Sequence, residues 1–406
     1  MLKVILNKNE EENILNGYPW VFNNEIINFE GPIENGKVCS VYTYDHQFVA
    51  YGFLNTNSKI MVRILSLDEN EIINKDFFEK RISYALEHRK TLGWDATRLI
   101  FSEADFLPGL IVDKYGDYLS VQFMSLGMDM IKQDIVDILV KLTGCKGIYE
   151  RSDMPVREKE GLLQVKGFLY GKFDPRVEII EDDIHMIVDM ENGQKTGYFL
   201  DQKWNRAALK YYVKDRIFLD QKLNRDILRL YTKNRNVLDA FSNVGGFALH
   251  ACKYGASHVD ACDISKRACD EITNNAKLNG FTQLEAKCVD VFDYLHDDAN
   301  KDKYDLIVLD PPAFSKSKDS LKKAYRGYKD INMQAMKIIK SGGYLLTFSC
   351  SQHMTPDLFM QMVSEAAHDA NRTVQFLDFR IQSPDHPALL EAGEQLYLKC
   401  LILRVK

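Results

Sequence analysis

The stretch Tyr304-Asp305-Leu306-Ile307-Val308-Leu309-Asp310-Pro311-Pro312-Ala313-Phe314 is an apolar run that ends in a carboxylate and a pair of prolines. A second apolar run, residues 344–348, ends in Ser349-Cys350-Ser351. Short apolar runs bounded by turn residues are typical of buried strands. In an open parallel sheet, ligands bind in the crevice outside the carboxyl ends of the strands. The two motifs therefore predict Asp310 and Cys350 at the rim of one such crevice.

The segments around these motifs alternate between strand and helix patterns from about residue 184 onward. This alternation is typical of a parallel, doubly wound sheet. The chain then ends with two strand-like runs, residues 373–381 and 396–405, and no helix-length segment separates them. We expect the two runs to pair antiparallel at a sheet edge. Dinucleotide-dependent dehydrogenases usually lack this hairpin, which is typical of the class I methyltransferase variant of the sheet.

The earlier part of the chain has a different texture. Residues 1–70 contain short, closely spaced strands and predict a small β-barrel. Residues 75–180 mix hairpins with helices and predict a central α+β domain. The predicted fold class is therefore α/β, with a seven-stranded Rossmann-like sheet and a terminal antiparallel hairpin in residues 184–406, preceded by the barrel and the central domain.

Composition excludes several classes of protein. Of the 406 residues 46% are apolar, but no apolar run approaches the ~20 residues of a membrane span. The first residues lack the apolar core and cleavage site of a signal peptide. The eight cysteines include no CxxC pair, which favours reduced thiols over a disulfide framework or a zinc site. We expect a cytoplasmic protein that neither contacts a membrane nor holds a metal.

The net charge is −6, but basic residues are concentrated in two segments. Residues 195–236 contain eleven Lys or Arg against four Asp, and residues 311–345 contain eight against two. Such local clusters can contact nucleic-acid phosphates on an otherwise acidic protein. A solvated helix face explains the charge pattern equally well.

Residues 237–247, Val-Leu-Asp-Ala-Phe-Ser-Asn-Val-Gly-Gly-Phe, form a strand, a tight turn and a helix start. Gly245 and the glycine after it permit close approach of a ligand to the backbone. The G-x-G-x-x-G spacing of a dinucleotide site is absent, which disfavours pyrophosphate binding. The next two strands end in Asp263 and Asp290. Helix capping explains either one alone, but three such strand ends in order point to a nucleoside site.

These motifs resemble the class I S-adenosylmethionine-dependent RNA methyltransferases. The resemblance covers nearly the whole chain and is most specific to the large-subunit ribosomal RNA cytosine-5 methyltransferases with a PUA domain. The matching segments are residues 18–22 in the PUA domain, 103–113 and 149–153 in the central domain, and 193–202, 237–247, 260–280 and 304–354 around the catalytic domain.

The resemblance implies S-adenosylmethionine as cofactor and ribosomal RNA as partner. It implies that nine residues bind the cofactor: Asp239, Phe241 and Gly245 as lining, Asp263 at the ribose, Asp290 and Val291 at the adenine, and Lys195, Thr196 and Phe199 closing the pocket. Asn243 departs from the family, where an aromatic residue is usual, although Asn tolerates a turn conformation well.

The resemblance also implies covalent catalysis at cytosine C5. The Cys350 thiolate would add to C6 of the base, which makes C5 nucleophilic enough to take the methyl group. Asp310 would hold the N3 and amine edge of the base, and Phe314 would stack on it. Pro311, with its fixed φ, would stiffen the loop. Ala313 stands where a related family carries a second cysteine, so the base that removes the C5 proton is unassigned.

Other readings stay open at this point. The Asp-Pro-Pro motif resembles the Asn-Pro-Pro motifs of N-methylating enzymes, so methylation of a guanine nitrogen without a cysteine nucleophile is one alternative. A nicotinamide oxidoreductase is disfavoured by the missing glycine pattern and by the terminal hairpin. A non-catalytic RNA-binding assembly factor would keep the same fold. The sequence also leaves open the target nucleotide and whether the protein is a homodimer.

The chain contains an internal duplication. Residues 199–206, Phe-Leu-Asp-Gln-Lys-Trp-Asn-Arg, recur as residues 218–225 with seven of eight positions identical. Along a continuous helix, an offset of 19 turns the second copy by about 100° beyond five turns, so the copies cannot present the same face. Our hypothesis is that the first copy contacts the cofactor and the second is a helical spacer.

This hypothesis predicts the effect of changing the second copy. Replacing Asp220 and Gln221 with Ala should leave the affinity for S-adenosylmethionine intact in a calorimetric titration. A large loss of affinity would reverse the assignment of the two copies.

Overall fold

The computed structural model of the protein describes residues 1–213, 235–314 and 320–406. The chain forms two compact units. The first contains Met1–Glu181, Ile187–Asp201 and Pro384–Gln395, and the second contains Asp182–Met186, Gln202–Ser383 and Leu396–Lys406. The boundaries near residues 70 and 184 that the sequence suggests for three domains stay a prediction. The second copy of the duplication, residues 218–225, lies outside the described residues.

The first unit begins with a six-stranded, mainly antiparallel sheet. Its strands are β1 (Lys3–Leu6), β2 (Trp20–Phe22), β3 (Ile26–Glu30), β4 (Val38–Tyr42), β5 (Phe48–Leu54) and β6 (Ile60–Ser66), in the order β2-β6-β5-β4-β1-β3. Only β1 and β4 pair in parallel among the described strands of this sheet. The predicted β-rich start of the chain is confirmed.

A second sheet in this unit has five strands and packs against helices. The strands are β7 (Ala96–Phe101), β8 (Leu110–Tyr115), β9 (Tyr118–Phe123), β10 (Gly147–Ser152) and β11 (Val165–Tyr170), and the helices of this unit are α1 (Glu11–Leu15), α2 (Lys75–Lys90), α3 (Leu126–Met130) and α4 (Lys132–Thr143). The Asn74 side chain starts α2 by accepting a hydrogen bond from the Phe77 N–H. Gly144, with φ of 64°, ends α4. Two further strands follow, β12 (Arg176–Glu181) and β13 (Ile184–Asp189).

The second unit is built on a seven-stranded sheet. Its strands are β14 (Asn236–Ala240), β15 (His258–Asp263), β16 (Leu284–Cys288), β17 (Tyr304–Leu309), β18 (Ile339–Ser349), β19 (Val374–Arg380) and β20 (Lys399–Val405), in the order β16-β15-β14-β17-β18-β20-β19. The first five in this order are parallel, and β20 is antiparallel to both of its neighbours. The predicted doubly wound sheet and terminal hairpin are therefore confirmed.

Helices pack on both faces of this sheet. They are α5 (Lys203–Ala208), α6 (Gly246–Lys253), α7 (Lys266–Leu278), α8 (Val291–His296), α9 (Leu321–Ile338) and α10 (Pro356–Asp369). All six residues of β17 are buried, and its apolar residues from Leu306 onward alternate between two apolar cores. Ile307 and Leu309 belong to the core that contains α9 and α10, whereas Leu306 and Val308 belong to the core that contains α6.

The strand order places a crevice beside β14. Strands β15 and β16 lie on one side of β14, and the strands from β17 onward lie on the other side. The chain connections therefore diverge at the carboxyl ends of β14 and β17. This switch point is where open α/β sheets bind ligands. No helix in residues 1–213, 235–314 and 320–406 is long and apolar enough to cross a membrane.

A buried carboxylate on β15 ties three strands of this sheet together. Asp260 is fully buried, and it accepts hydrogen bonds from Lys303 Nζ at 2.7 Å, from the Tyr304 hydroxyl and from His258 Nε2 at 2.9 Å. Burial alone would raise the pKa of Asp260, but these bonds and the nearby charge of Lys287 lower it to about 2. The folded unit therefore holds this carboxylate in its charged form.

We predict that Asp260→Asn destabilises the second unit by about 2–3 kcal/mol at neutral pH, because charged hydrogen bonds at a buried site are lost. Since the folded pKa lies below the ordinary value of 3.8, the wild-type advantage should be present above pH 4 and vanish as the pH falls through about 2. Urea midpoints measured across this range test it.

The matched control is Asp270→Asn. Asp270 is exposed and pairs with Lys266 across one turn of α7, where such pairs contribute under about 0.5 kcal/mol. Equal losses of unfolding free energy in the two variants would show that the buried network around Asp260 contributes no more to stability than an exposed ion pair does.

Candidate cofactor and active site

The glycine turn after β14 adopts left-handed backbone conformations. Phe241 and Asn243 have φ of 65° and 53°, and Gly245 has φ of 89° and precedes α6. The Asn243 N–H donates to Asp263 Oδ2 at 2.9 Å, and the Asn243 side chain accepts from the Val244 N–H. Asn is among the few residues that tolerate this conformation. The turn is thereby bonded to the strand end at Asp263.

Asp239 lies at the base of this turn and is almost completely buried. Its Oδ2 accepts from the Ser242 hydroxyl at 2.5 Å and from the Ala248 N–H at 2.9 Å. Its Oδ1 has no hydrogen-bond partner among the described residues. Burial raises the pKa of Asp239 to about 7, although both hydrogen bonds and the Arg206 guanidinium lower it. A cationic donor placed at Oδ1 would favour the charged carboxylate.

The ends of β15 and β16 carry the predicted nucleoside-binding residues. Asp263 is half-buried, with one oxygen accepting from Asn243 and the other from the Ser265 N–H at 2.9 Å. Asp290 is exposed and caps α8 by accepting from the Phe292 N–H at 2.8 Å. Both carboxylates retain lone pairs for a further donor.

Two neighbouring apolar residues change the predicted adenine contact. The Val291 side chain is buried in the apolar core, so only its backbone remains for a ligand. Phe292, the next residue, is half-buried and offers a ring face. Ile264, directly after Asp263, is 70% exposed although it is large and apolar. Sequence reasoning did not single out Ile264, although it directly follows Asp263, the predicted ribose-binding residue.

The three remaining predicted cofactor residues belong to the first unit. Lys195 Nζ bonds to Asp201 Oδ2 at 2.7 Å and lies 4.7 Å from the ring centroid of Phe199. Thr196 is fully buried, and its hydroxyl donates to Asp113 Oδ2. These contacts order the segment around residues 195–201. That its side chains touch the cofactor stays a prediction.

Asp310 follows β17 and is half-buried. Its Oδ2 accepts a hydrogen bond from Gln202 Nε2 at 3.0 Å, and Gln202 Oε1 in turn accepts from Asn205 Nδ2 at 2.8 Å. Gln202 and Asn205 belong to the first copy of the duplication, and both are buried. Pro311, the next residue, is buried as well. The Asp310 side chain is therefore held by Gln202, and the residue after it is held by packing. The first copy thus positions the Asp-Pro-Pro carboxylate.

Cys350 directly follows β18 and is half-buried. Two residues that sequence reasoning missed lie beside it. The Lys399 ammonium and the hydroxyl of fully buried Tyr328 both interact electrostatically with Cys350, and Tyr328 also interacts with Asp310. Burial, the dominant cause, and the charges of Cys350 and Asp310 raise the pKa of Tyr328 to about 12, although a hydrogen bond from Ser349 lowers it. Tyr328 thus lies within electrostatic range of both Asp310 and Cys350, which follow the neighbouring parallel strands β17 and β18.

Aromatic rings connect the glycine turn with the Asp-Pro-Pro loop. Phe241 lies 6.2 Å from Phe292 in an edge-on arrangement, Phe292 lies 5.9 Å from Phe314, and Phe314 lies 4.6 Å from Tyr328, measured between ring centroids. The Phe314 N–H also donates to the Tyr328 hydroxyl at 3.5 Å. A ligand between the two motifs would meet a continuous aromatic wall.

The chain matches two known families. Residues 4–67 match the PUA-like domain, and residues 206–404 match the S-adenosylmethionine-dependent methyltransferase family. Ribosomal RNA large subunit methyltransferase I from Aliivibrio fischeri (strain MJ11) is 39% identical over 412 residues, which covers 100% of this chain and 99% of the relative. The protein of that name from Escherichia coli O139:H28 is 37% identical, with the same coverage.

Solved structures show the same fold. A candidate S-adenosylmethionine-dependent methyltransferase from Streptococcus mutans has a TM-score of 0.79 at 21% identity, with both chains covered completely. A candidate methyltransferase crystallised with S-adenosylhomocysteine has a TM-score of 0.81, again at 21% identity and with complete coverage of both chains. The fold and the site define an S-adenosylmethionine-dependent methyltransferase. Within that class, the chain belongs to the family of the ribosomal RNA large subunit methyltransferases I.

We predict that Gly245→Ala weakens S-adenosylmethionine binding by about tenfold or more in a calorimetric titration. A side chain at the left-handed φ of 89° is strained by roughly 1–2 kcal/mol, and its Cβ would lie 3.3 Å from Ile272 Cγ1, so Ile272 or the turn must give by a few tenths of an ångström.

Gly280→Ala is the matched control. Gly280 also has a left-handed φ, of 67°, but a Cβ there meets nothing within 4 Å. It follows α7, on the same unit. Similar loss of binding in both variants would mean that backbone strain anywhere in the unit, rather than the turn itself, controls affinity.

Proposed function

We propose that the protein transfers a methyl group from S-adenosylmethionine to C5 of a cytosine in large-subunit ribosomal RNA, through a covalent adduct with Cys350. The names of the relatives support the RNA class, because they state large-subunit ribosomal RNA as the substrate. The observation that carries the chemistry is a half-buried thiol directly after β18 and a carboxylate directly after the parallel neighbouring strand β17, with Tyr328 within electrostatic range of both.

The residues of the β14 end fit the cofactor. Asp239 Oδ1, a buried acceptor with no partner among the described residues, suits an ammonium group. Gly245 has no side chain and a left-handed φ of 89° at the start of α6, and Asp263 has lone pairs for ribose hydroxyls. S-adenosylmethionine, when bound, supplies the methyl group.

Cys350 performs the activation step in this proposal. Its thiolate would add to C6 of the cytosine, and the C5–C6 π electrons would form the bond from C5 to the methyl carbon. The methyl–sulfur bond would break with its electron pair left on sulfur, so that S-adenosylhomocysteine is the leaving group. A base then removes the C5 proton, the electron pair restores the C5–C6 double bond, and the sulfur leaves C6. The thiolate is regenerated, so the cysteine is neither oxidised nor consumed.

Asp310 and the aromatic wall hold the base. Gln202 orients the Asp310 carboxyl, which would bond to the N3 and amine edge of the cytosine. Phe314, packed on Tyr328, would stack against the base. Extracting a base from its stack costs a few kcal/mol, which stacking and edge hydrogen bonds must offset. The loop of Pro311 stiffens this arrangement.

One helix connects the site to basic surface. In α9, Tyr328 faces the core, whereas Lys322, Lys323 and Arg326 are exposed. Lys329 on the same helix forms an ion pair with Asp369 at 2.9 Å and is thereby partly neutralised. The three exposed cations provide phosphate contacts near the catalytic centre in the proposed complex. The cytoplasmic location expected from the sequence stays a prediction.

We predict that Cys350→Ala abolishes C5 methylation of ribosomal RNA fragments, because C5 is not nucleophilic without the thiol adduct. A fragment with 5-fluorocytosine at the target has no C5 proton to lose, so the wild-type adduct should persist. The measurement is a denaturing gel, on which the wild-type enzyme should form a shifted band with that RNA and Cys350→Ala should not.

Cys288→Ala is the control, since Cys288 is the exposed cysteine at the end of β16 and should trap RNA as the wild type does. Methyl transfer that survives in Cys350→Ala would contradict the covalent route. Transfer to a guanine nitrogen in that variant would favour the alternative of N-methylation.

A further inference from the structure

Lys399 is a buried cation at the start of β20, whose other buried residues are apolar. It begins β20, all but one of whose residues are buried, and Lys399 itself is only 2% exposed. Its partner across the sheet is Ser349 of β18, the residue before Cys350. A fully buried lysine is rare unless it is paired, because desolvation of the ammonium is costly. The buried ammonium of Lys399 therefore requires nearby groups that stabilise its charge.

The hydrogen bonds of Lys399 hold the segment that carries the thiol. Its Nζ donates to the Ser351 carbonyl at 2.6 Å and to the Tyr397 carbonyl at 2.7 Å. Ser349 is held by strand pairing with Lys399, and Ser351 is held by the ammonium, so both chain neighbours of Cys350 are attached to one residue. Backbone carbonyls solvate the charge but do not neutralise it.

Lys399 and Cys350 act on each other electrostatically, and the residue after Cys350 accepts the Lys399 hydrogen bond. Among the described residues, no carboxylate lies within ion-pair distance of Lys399. Burial lowers the pKa of Lys399 to about 8, and the negative charge of the Cys350 thiolate acts in the opposite direction. The interaction is mutual, so the ammonium must favour the thiolate by as much as the thiolate favours the ammonium.

We propose that Lys399 is a positioning residue that stabilises the Cys350 thiolate as its counter-ion and fixes the adjacent backbone. This inference deepens the proposed function and rests on it, because it concerns the nucleophile assigned there. Lys399 does not itself touch the reacting atoms in this proposal.

Other charged or titratable groups surround the thiol. Tyr328 on α9 faces Cys350, and its raised pKa keeps it neutral near pH 7. Asp310, after β17, faces Tyr328 and Cys400. Arg380 on β19 faces Cys400 and forms an ion pair with a carboxylate of its own strand at 3.0 Å. Lys399 acts on Cys350 electrostatically and also bonds to the residue that follows it.

The test is the pH dependence of Cys350 alkylation by iodoacetamide, followed by peptide mass spectrometry on the full-length enzyme without RNA or cofactor. Only the thiolate reacts. We expect the midpoint of the rate profile to move up by about one pH unit in Lys399→Met, which is about a tenfold slower reaction below the midpoint. Lys399→Arg keeps the charge and should restore most of the rate.

Lys340→Met is the matched control, because Lys340 lies near the other end of β18 and pairs with Asp305 at 3.0 Å. It should leave the profile unchanged. Coinciding wild-type and Lys399→Met profiles would overturn the inference, as would equal shifts in the Met and Arg variants, since the charge would then be irrelevant. An unshifted profile with loss of methylation in Cys350→Ala refutes this inference alone. A shifted profile with methylation retained in Cys350→Ala refutes the proposed function instead.

Discussion

The whole site depends on the register of the parallel sheet. Ala240 at the end of β14 pairs with Leu309 at the end of β17, and Leu309 pairs with Thr347 near the end of β18. Since these strands are buried on both faces, a shift of register would expose apolar residues to water. The residues that follow the strands, among them Asp310 and Cys350, are therefore held at one edge by the packing of the entire unit.

Burial then decides the charge of the groups held at that edge. Asp239 lies in a region of low dielectric, where its carboxylate is favoured only by hydrogen bonds and by the guanidinium of Arg206. Lys399 is buried without an ion-paired carboxylate among the described residues, and the thiolate of Cys350 opposes the fall of its pKa. The sheet therefore determines both where these side chains lie and how strongly burial disfavours their charges. A bound ligand of opposite charge would stabilise the charged forms.

The parts of this structure that sequence reasoning predicted are local. The alternation of strands and helices and the terminal hairpin follow from periodicity, and the glycine turn follows from the conformations that Gly245 allows. Gln202 and Tyr328 could not be placed in this way, because their roles depend on tertiary contacts. Gln202 bonds to Asp310, which lies more than a hundred residues further along the chain. Tyr328 lies on α9 and accepts a hydrogen bond from the Phe314 N–H, in a different element. The sequence does show a charged residue, Lys399, at the start of a mainly apolar run. Its role could be interpreted only once its cross-strand neighbour was known.

The proposed chemistry is the activation of cytosine C5 by the sulfur of Cys350, at the carboxyl end of β18. Mass-spectrometric mapping of large-subunit ribosomal RNA from cells that lack the protein tests it most directly, with cells restored by the wild type or by Cys350→Ser compared side by side. We expect one 5-methylcytosine to be absent without the protein, to return with the wild type and to stay absent with the serine variant. Return of the methyl group with the serine variant, or loss of a methylguanine instead, would contradict it.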